Sequence, residues 1–155
     1  MALFDRNVQY IIMIAMFVIA YIYCIMVATY IQRNQDTSPL YKAINDLHES
    51  CLLPCEAETC KTLTSQRGSN YYIGATSEER KDQLGTCLFT YWSLQHFLFF
   101  FALGFLTPDL MFEALSIGLL FEIYEYYRFD CHDVLDLLLN TLGFLAGNYL
   151  ARTWT

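Results

Sequence analysis

His96, Glu122, Glu125, Arg128, Asp133, Asp136 and Asn140 place acid, base and amide groups inside strongly apolar sequence. Such groups are costly in apolar surroundings, so each needs a partner or a task. Four of them are carboxylic acids, set against one arginine and one histidine. Entry of water, retained protons or a captured cation would each balance that set. Imidazole beside carboxylates also supplies the donor types of a divalent-metal site. Three arrangements are therefore open: a hydrogen-bond network tying helices together, a polar pocket for a lipid head group or other amphiphile, and a catalytic or metal centre. The network is the expectation, with His96 as a satisfied interior histidine. No catalytic residue, metal ligand or cofactor is assigned.

Cysteine supplies a second set. Cys51, Cys55 and Cys60 crowd the stretch CLLPCEAETC, and Cys87 closes the same polar segment. Four thiols in a small segment read as two disulfides, with three possible pairings. That reading places the segment in an oxidising space. Zinc held by His48, Cys51, Cys55 and Cys60 is one alternative, and free thiols are another.

The elements that must position these groups follow from composition. The 155 residues are enough for one compact domain. They are 55% hydrophobic and 17% aromatic, with only 16% charged. A soluble domain carries nearer about 25% charged residues. A formal charge of −7 argues against nucleic acid and against docking by basic charge on anionic lipid.

The apolar residues gather into four blocks, at 8–31, 88–106, 109–127 and 133–151. A membrane span needs about 20 mostly apolar residues. The first block carries no charge and is longer than the apolar core of a signal peptide, so it is read as an uncleaved anchor. Residues 32–87 form a polar, cysteine-bearing extramembrane segment. Within it, Ser38 and Pro39 signal a short helix, Gly68 and Gly74 act as breakers, and Thr76 or Ser77 before Glu78 and Glu79 signals another helix. Residues 88–151 form a three-helix membrane core with short links, so its helices alternate in direction. In the first link, Thr107 reads as a cap and Pro108 as the first residue of the next helix.

Helical periodicity sorts the polar residues. Asp133, Asp136, Asn140, Gly143, Gly147 and Ala151 share an arc of about 80°. Ala114, Gly118, Glu122 and Glu125 share another of about 80°. Ser93, His96, Phe100, Leu103 and Gly104 share one of about 100°. Small residues let helices approach closely, which assigns Gly118, Gly143 and Gly147 to packing. At 1.5 Å per residue, His96, Glu122 and Asn140 lie roughly 8–12 Å below the surface that bears residues 32–87. Asp109 and Glu113 fall near the opposite surface and read as solvated. Basic residues favour a cytoplasmic 32–87 segment, whereas disulfides favour the other side, so neither the orientation nor the membrane is assigned.

The order and spacing of these residues resemble the VanZ-like family of membrane proteins. The resemblance rests on His96-Phe97, Phe100 and Leu103-Gly104, then Glu122, Glu125 and Arg128, then Asp136, Asn140, Gly143 and Gly147. It covers about residues 88–151. Glu125 stands where the family commonly has glutamine, and the cysteine-bearing segment has no counterpart. The resemblance implies a polytopic helical domain and carries no reaction with it.

The sequence thus predicts an all-α polytopic membrane protein with about four spans. Its expected role is non-catalytic: anchoring or assembling a larger membrane-associated complex, such as a capsid-like protein layer. Membrane lipids are the expected partners, with other protein subunits reached through residues 32–87. The alternative is amphiphile binding or membrane-embedded catalysis at the His96, Glu122 and Asp136 cluster.

Overall fold

The structure is a computed structural model that describes residues 3–54, 87–129 and 134–154. Among these residues it is mostly helical, with one short two-stranded ribbon.

Helix α1, Arg6–Ile25, starts where the Asp5 carboxylate accepts hydrogen bonds from the Asn7 and Val8 amides at 2.9 and 3.1 Å. Two amide donors that the first turn would leave without partners are thereby satisfied. The helix continues as a wider π-helical turn, Met26–Ile31, and then a tighter one, Gln32–Thr37. Thr29 bonds back to the Ile25 carbonyl at this transition, a bond that competes with the regular backbone ladder. The stretch Arg6–Ile31 is the one helix among the described residues that is long and apolar enough to cross a membrane.

Helix α2, Pro39–Glu49, opens with proline at its first position. Ser38 precedes it with extended backbone, but its side chain makes no capping bond. Tyr41 and Ile44 of α2 pack on Val27, Ile31 and Trp92, which fixes the helix across one end of the bundle. Strands β1, Cys51–Pro54, and β2, Cys87–Thr90, then pair antiparallel with an irregular register. Sequence reading did not anticipate this ribbon. Cys51 is disulfide-bonded, whereas Cys24 forms no disulfide. Cys55 and Cys60 lie outside the described residues, as does the Cys87 side chain. The breakers Gly68 and Gly74 and the helix expected after Thr76 also lie outside them.

Helix α3, Tyr91–Leu106, is capped by the Thr90 hydroxyl, which accepts from the Ser93 amide at 3.3 Å. It ends at Thr107, whose hydroxyl and amide each bond the Leu103 carbonyl at 2.7 Å. The Leu110 amide then reaches the Thr107 carbonyl at 3.1 Å. Pro108 therefore occupies the second position of a β-turn, and α4 begins at Met111. This corrects the expectation that Pro108 opens the helix. The fixed φ of proline suits both positions, and Thr107 is committed to closing α3.

Helices α4, Met111–Phe129, and α5, Val134–Trp154, complete the bundle. The tightest seam joins α3 to α5. A Cβ on Gly143 would overlap the Phe97 carbonyl oxygen, and one on Gly147 would overlap that of Phe101. From the other side, a Cβ on Gly104 would overlap the Phe144 carbonyl oxygen. Only glycine allows backbones this close. The core beside the seam holds Met13, Phe100, Leu103, Leu110, Ala114 and Phe144. Phe17 of α1 meets Phe99 and Phe100 edge-on at 5.4 and 6.1 Å, an arrangement aromatic quadrupoles favour.

Candidate functional site: a polar cluster on an apolar cavity

Three helices bring His96, Glu122, Asp136 and Asn140 together. His96 Nδ1 lies 3.1 Å from Asn140 Oδ1 and 3.4 Å from Glu122 Oε1. Both neighbours are acceptor oxygens, so Nδ1 carries the donated proton. Asn140 Nδ2 donates to Glu122 Oε1 at 3.2 Å. Asn140 thus bridges α3 and α4, with its amide orientation set by the two contacts. On the far side of the ring, His96 Nε2 faces Asp136 Oδ2 at 3.9 Å. That is within ion-pair range but too long for a hydrogen bond.

Burial is deep. Asp136 and Asn140 are 2% and 3% exposed. Among the described residues, Asp136 Oδ1 finds no hydrogen-bond partner. Of the other cluster residues expected from sequence, Glu125 and Arg128 lie on α4 with side chains outside the description, and Asp133 lies outside the described residues. No group of three or more potential metal ligands occurs among the described residues.

The cluster borders a cavity of about 490 Å³ between α1, α3 and α4. Its walls are mostly apolar. Phe17, Ala20 and Cys24 of α1 face Trp92 and Phe99 of α3 and Phe121 of α4. His96, Glu122 and Asn140 border the same cavity together with Gln95, Tyr21 and Tyr23, whereas Asp136 is set off from it. Volume and lining fall in the range of small-molecule sites: about 300–1,000 Å³, mostly apolar, with a few polar groups that fix orientation. Gly118 also borders the cavity, and a Cβ there would come within 2.5 Å of Phe100 Cζ.

The contribution of α1 was not visible in the sequence. A uniformly apolar helix gives no periodic signal for the face it turns inward. The pointer was aromatic: Phe17, Tyr21 and Tyr23 interrupt an aliphatic run.

A second polar assembly stands at the opposite end of the bundle. Gln9, fully buried, donates to the Phe4 carbonyl at 2.9 Å and to Asp109 Oδ2 at 3.0 Å. Its own side-chain oxygen accepts from the Asp109 amide at 3.1 Å. The Tyr10 hydroxyl donates to Glu113 at 2.8 Å, and Arg6 reaches the same carboxylate at 3.2 Å. Asn148 of α5 donates to the Pro108 carbonyl at 2.5 Å and accepts from Arg152 at 2.7 Å. Asp109 and Glu113, expected to be merely solvated, instead fasten the first turns of α1 to the α3–α4 junction.

In comparison with known proteins, the chain matches no family model, no curated protein and no solved structure.

Proposed function

We propose that this chain is a multi-pass membrane protein of about four spans whose bundle takes up an amphiphile from the surrounding lipid. The carrying observation is the apolar cavity with His96, Glu122 and Asn140 on its wall. A polytopic arrangement is supported by length and by surface. Helices α3, α4 and α5 have 16, 19 and 21 residues. At 1.5 Å per residue they measure about 24–32 Å, close to a hydrocarbon core of about 30 Å. Their outward residues include Phe112, Leu120, Leu138 and Tyr149, all exposed. Ile11 and Ile19 of α1 are likewise exposed. Large apolar surfaces of this kind call for lipid or a partner.

In this reading the polar cluster orients the amphiphile and no bond is made or broken. Kinship with the VanZ-like family belongs to the same proposal. The residues behind that resemblance include His96, Glu122, Asp136 and Asn140, together with Gly143 and Gly147 of the α3–α5 seam.

The test is photolabelling in lipid nanodiscs with an alkyl diazirine amphiphile, followed by peptide mapping. Label should concentrate on Phe17, Ala20, Phe99 and Phe121 and be lost in Ala20→Phe, which fills the cavity. Even labelling of Ile11, Ile14 and Leu138, indifferent to Ala20→Phe, would refute it.

A second reading is favoured by one observation. The ribbon β1–β2 brings Pro54 beside Cys87, and the Tyr91 amide bonds the Ser50 carbonyl, which seats the ribbon on the bundle. A firmly seated base suits an adaptor that joins a membrane anchor to other protein subunits, the structural role expected from the sequence.

A further inference from the structure

We infer that the head group taken up at this cavity is a protonated amine, as in a long-chain alkylamine, and not a phosphate. The inference rests on the amphiphile reading and adds the ligand's chemical class.

The wall presents acceptors where a head group would sit. Asn140 gives its Oδ1 to His96 and its Nδ2 to Glu122, so both halves of the amide are committed within the cluster. His96 turns Nδ1 to these same acceptors and Nε2 toward Asp136. Beside them the cavity is bordered by Glu122, whose carboxylate accepts but cannot donate, and by the neutral polar side chains of Gln95, Tyr21 and Tyr23. No lysine or arginine occurs among the described residues that line the cavity. Recognition of a phosphate draws on such cations or on clustered amide donors. Here a phosphate would meet a carboxylate.

Two further features favour a cation. Asp136 is almost fully buried, and among the described residues its Oδ1 has no hydrogen-bond partner. It sets a second carboxyl group 3.9 Å from His96 Nε2. Aromatic rings also stand around the cavity, among them Trp92, Phe99 and Phe121. Ring faces attract ammonium groups, most strongly when water is excluded. An alkylamine therefore suits the charge and volume of the site: its chain fills the apolar space, and its N–H groups meet the carboxylate, the oxygens of neutral side chains such as Gln95, and the rings.

Trp92 gives a local readout. The chain has two tryptophans, and Trp154 is exposed at the distal end of α5. The variant Trp154→Phe in phosphatidylcholine nanodiscs leaves Trp92 as the single reporter. It is titrated with hexadecylamine, hexadecanol and hexadecyl phosphate, each brominated in mid-chain to quench tryptophan. The amine should saturate quenching at a concentration about tenfold or more below the phosphate, as expected for a charge-assisted hydrogen bond. Adding Glu122→Gln, which keeps an acceptor for Asn140, should bring amine and phosphate close to parity. Adding Ala20→Phe should abolish saturable quenching by all three. Phosphate binding as well as or better than the amine would overturn the head-group assignment while leaving the cavity in place. So would an amine preference untouched by Glu122→Gln. Quenching by all three that neither saturates nor responds to Ala20→Phe would instead overturn the amphiphile reading.

Discussion

Replacing Gly147 by alanine sets two known quantities against each other. Alanine is a better helix former than glycine by about 0.8–1.0 kcal/mol in a helix interior. If α5 met nothing there, the substitution would stabilise the protein. In the structure, however, a Cβ at Gly147 would overlap the Phe101 carbonyl oxygen and lie 2.8 Å from the Phe105 amide nitrogen. Both are backbone atoms of α3, so neither can swing aside as a side chain would. Relief requires the helices to separate, which also loosens the contacts at Gly104 and Gly143. Overpacking of this kind costs about 1–3 kcal/mol. The expected net effect is a loss of about 1 kcal/mol, larger for Gly147→Val, which adds bulk and lowers helix propensity. Gly143→Ala should behave alike. The double variant should lose less than the sum, because one separation relieves both clashes. Gly118→Ala is the internal contrast. Its clash is with the tip of the Phe100 side chain, which a small shift in χ1 can carry toward the cavity, whereas a backbone carbonyl has no such freedom. Reversible unfolding in mixed micelles measures all five. A Gly147→Ala protein that gains the full propensity term would show that α3 and α5 do not touch at that seam.

At the opposite end, Gln9→Leu should cost about 1–3 kcal/mol by stranding the Asp109 amide, and the same unfolding assay reads it; unchanged stability would refute the α1 clasp. Asp136→Asn should leave stability close to unchanged, since the amide keeps an oxygen toward His96 and replaces a buried carboxyl with one oxygen unsatisfied among the described residues, while Asp136→Arg should prevent folding. Reduction of unheated protein should slow its migration through loss of the Cys51 bond, and Cys51→Ala should remove that shift. A chain cut before residue 88 should stay in membranes under alkaline carbonate because Arg6–Ile31 is itself long enough to span; release into the supernatant would contradict it.

What could be read from the sequence depended on contrast within each helix. Helices α3, α4 and α5 mix large apolar residues with a stripe of small or polar ones, so an inward face could be drawn for each. That is why the convergence of His96, Glu122 and Asn140 could be anticipated from spacing. Helix α1 lacks such contrast, and the cavity it completes was therefore invisible. The clasp was hidden for another reason. Gln9 and Asp109 are 100 residues apart, and a single glutamine in an apolar block announces no partner. Strand β1 was hidden by brevity, for four residues that include a proline establish no alternation.

The ribbon has a consequence for what the chain can carry between its two strands. Pro54 pairs with Cys87, so the excursion between them leaves and rejoins the bundle at neighbouring points. An insertion with adjacent ends imposes little on its host, because the entropy of closing a loop grows only slowly with length. The joined ends at Pro54 and Cys87 therefore predict that a tag or foreign domain grafted between them leaves the helix packing in place, which unfolding of the grafted protein would check.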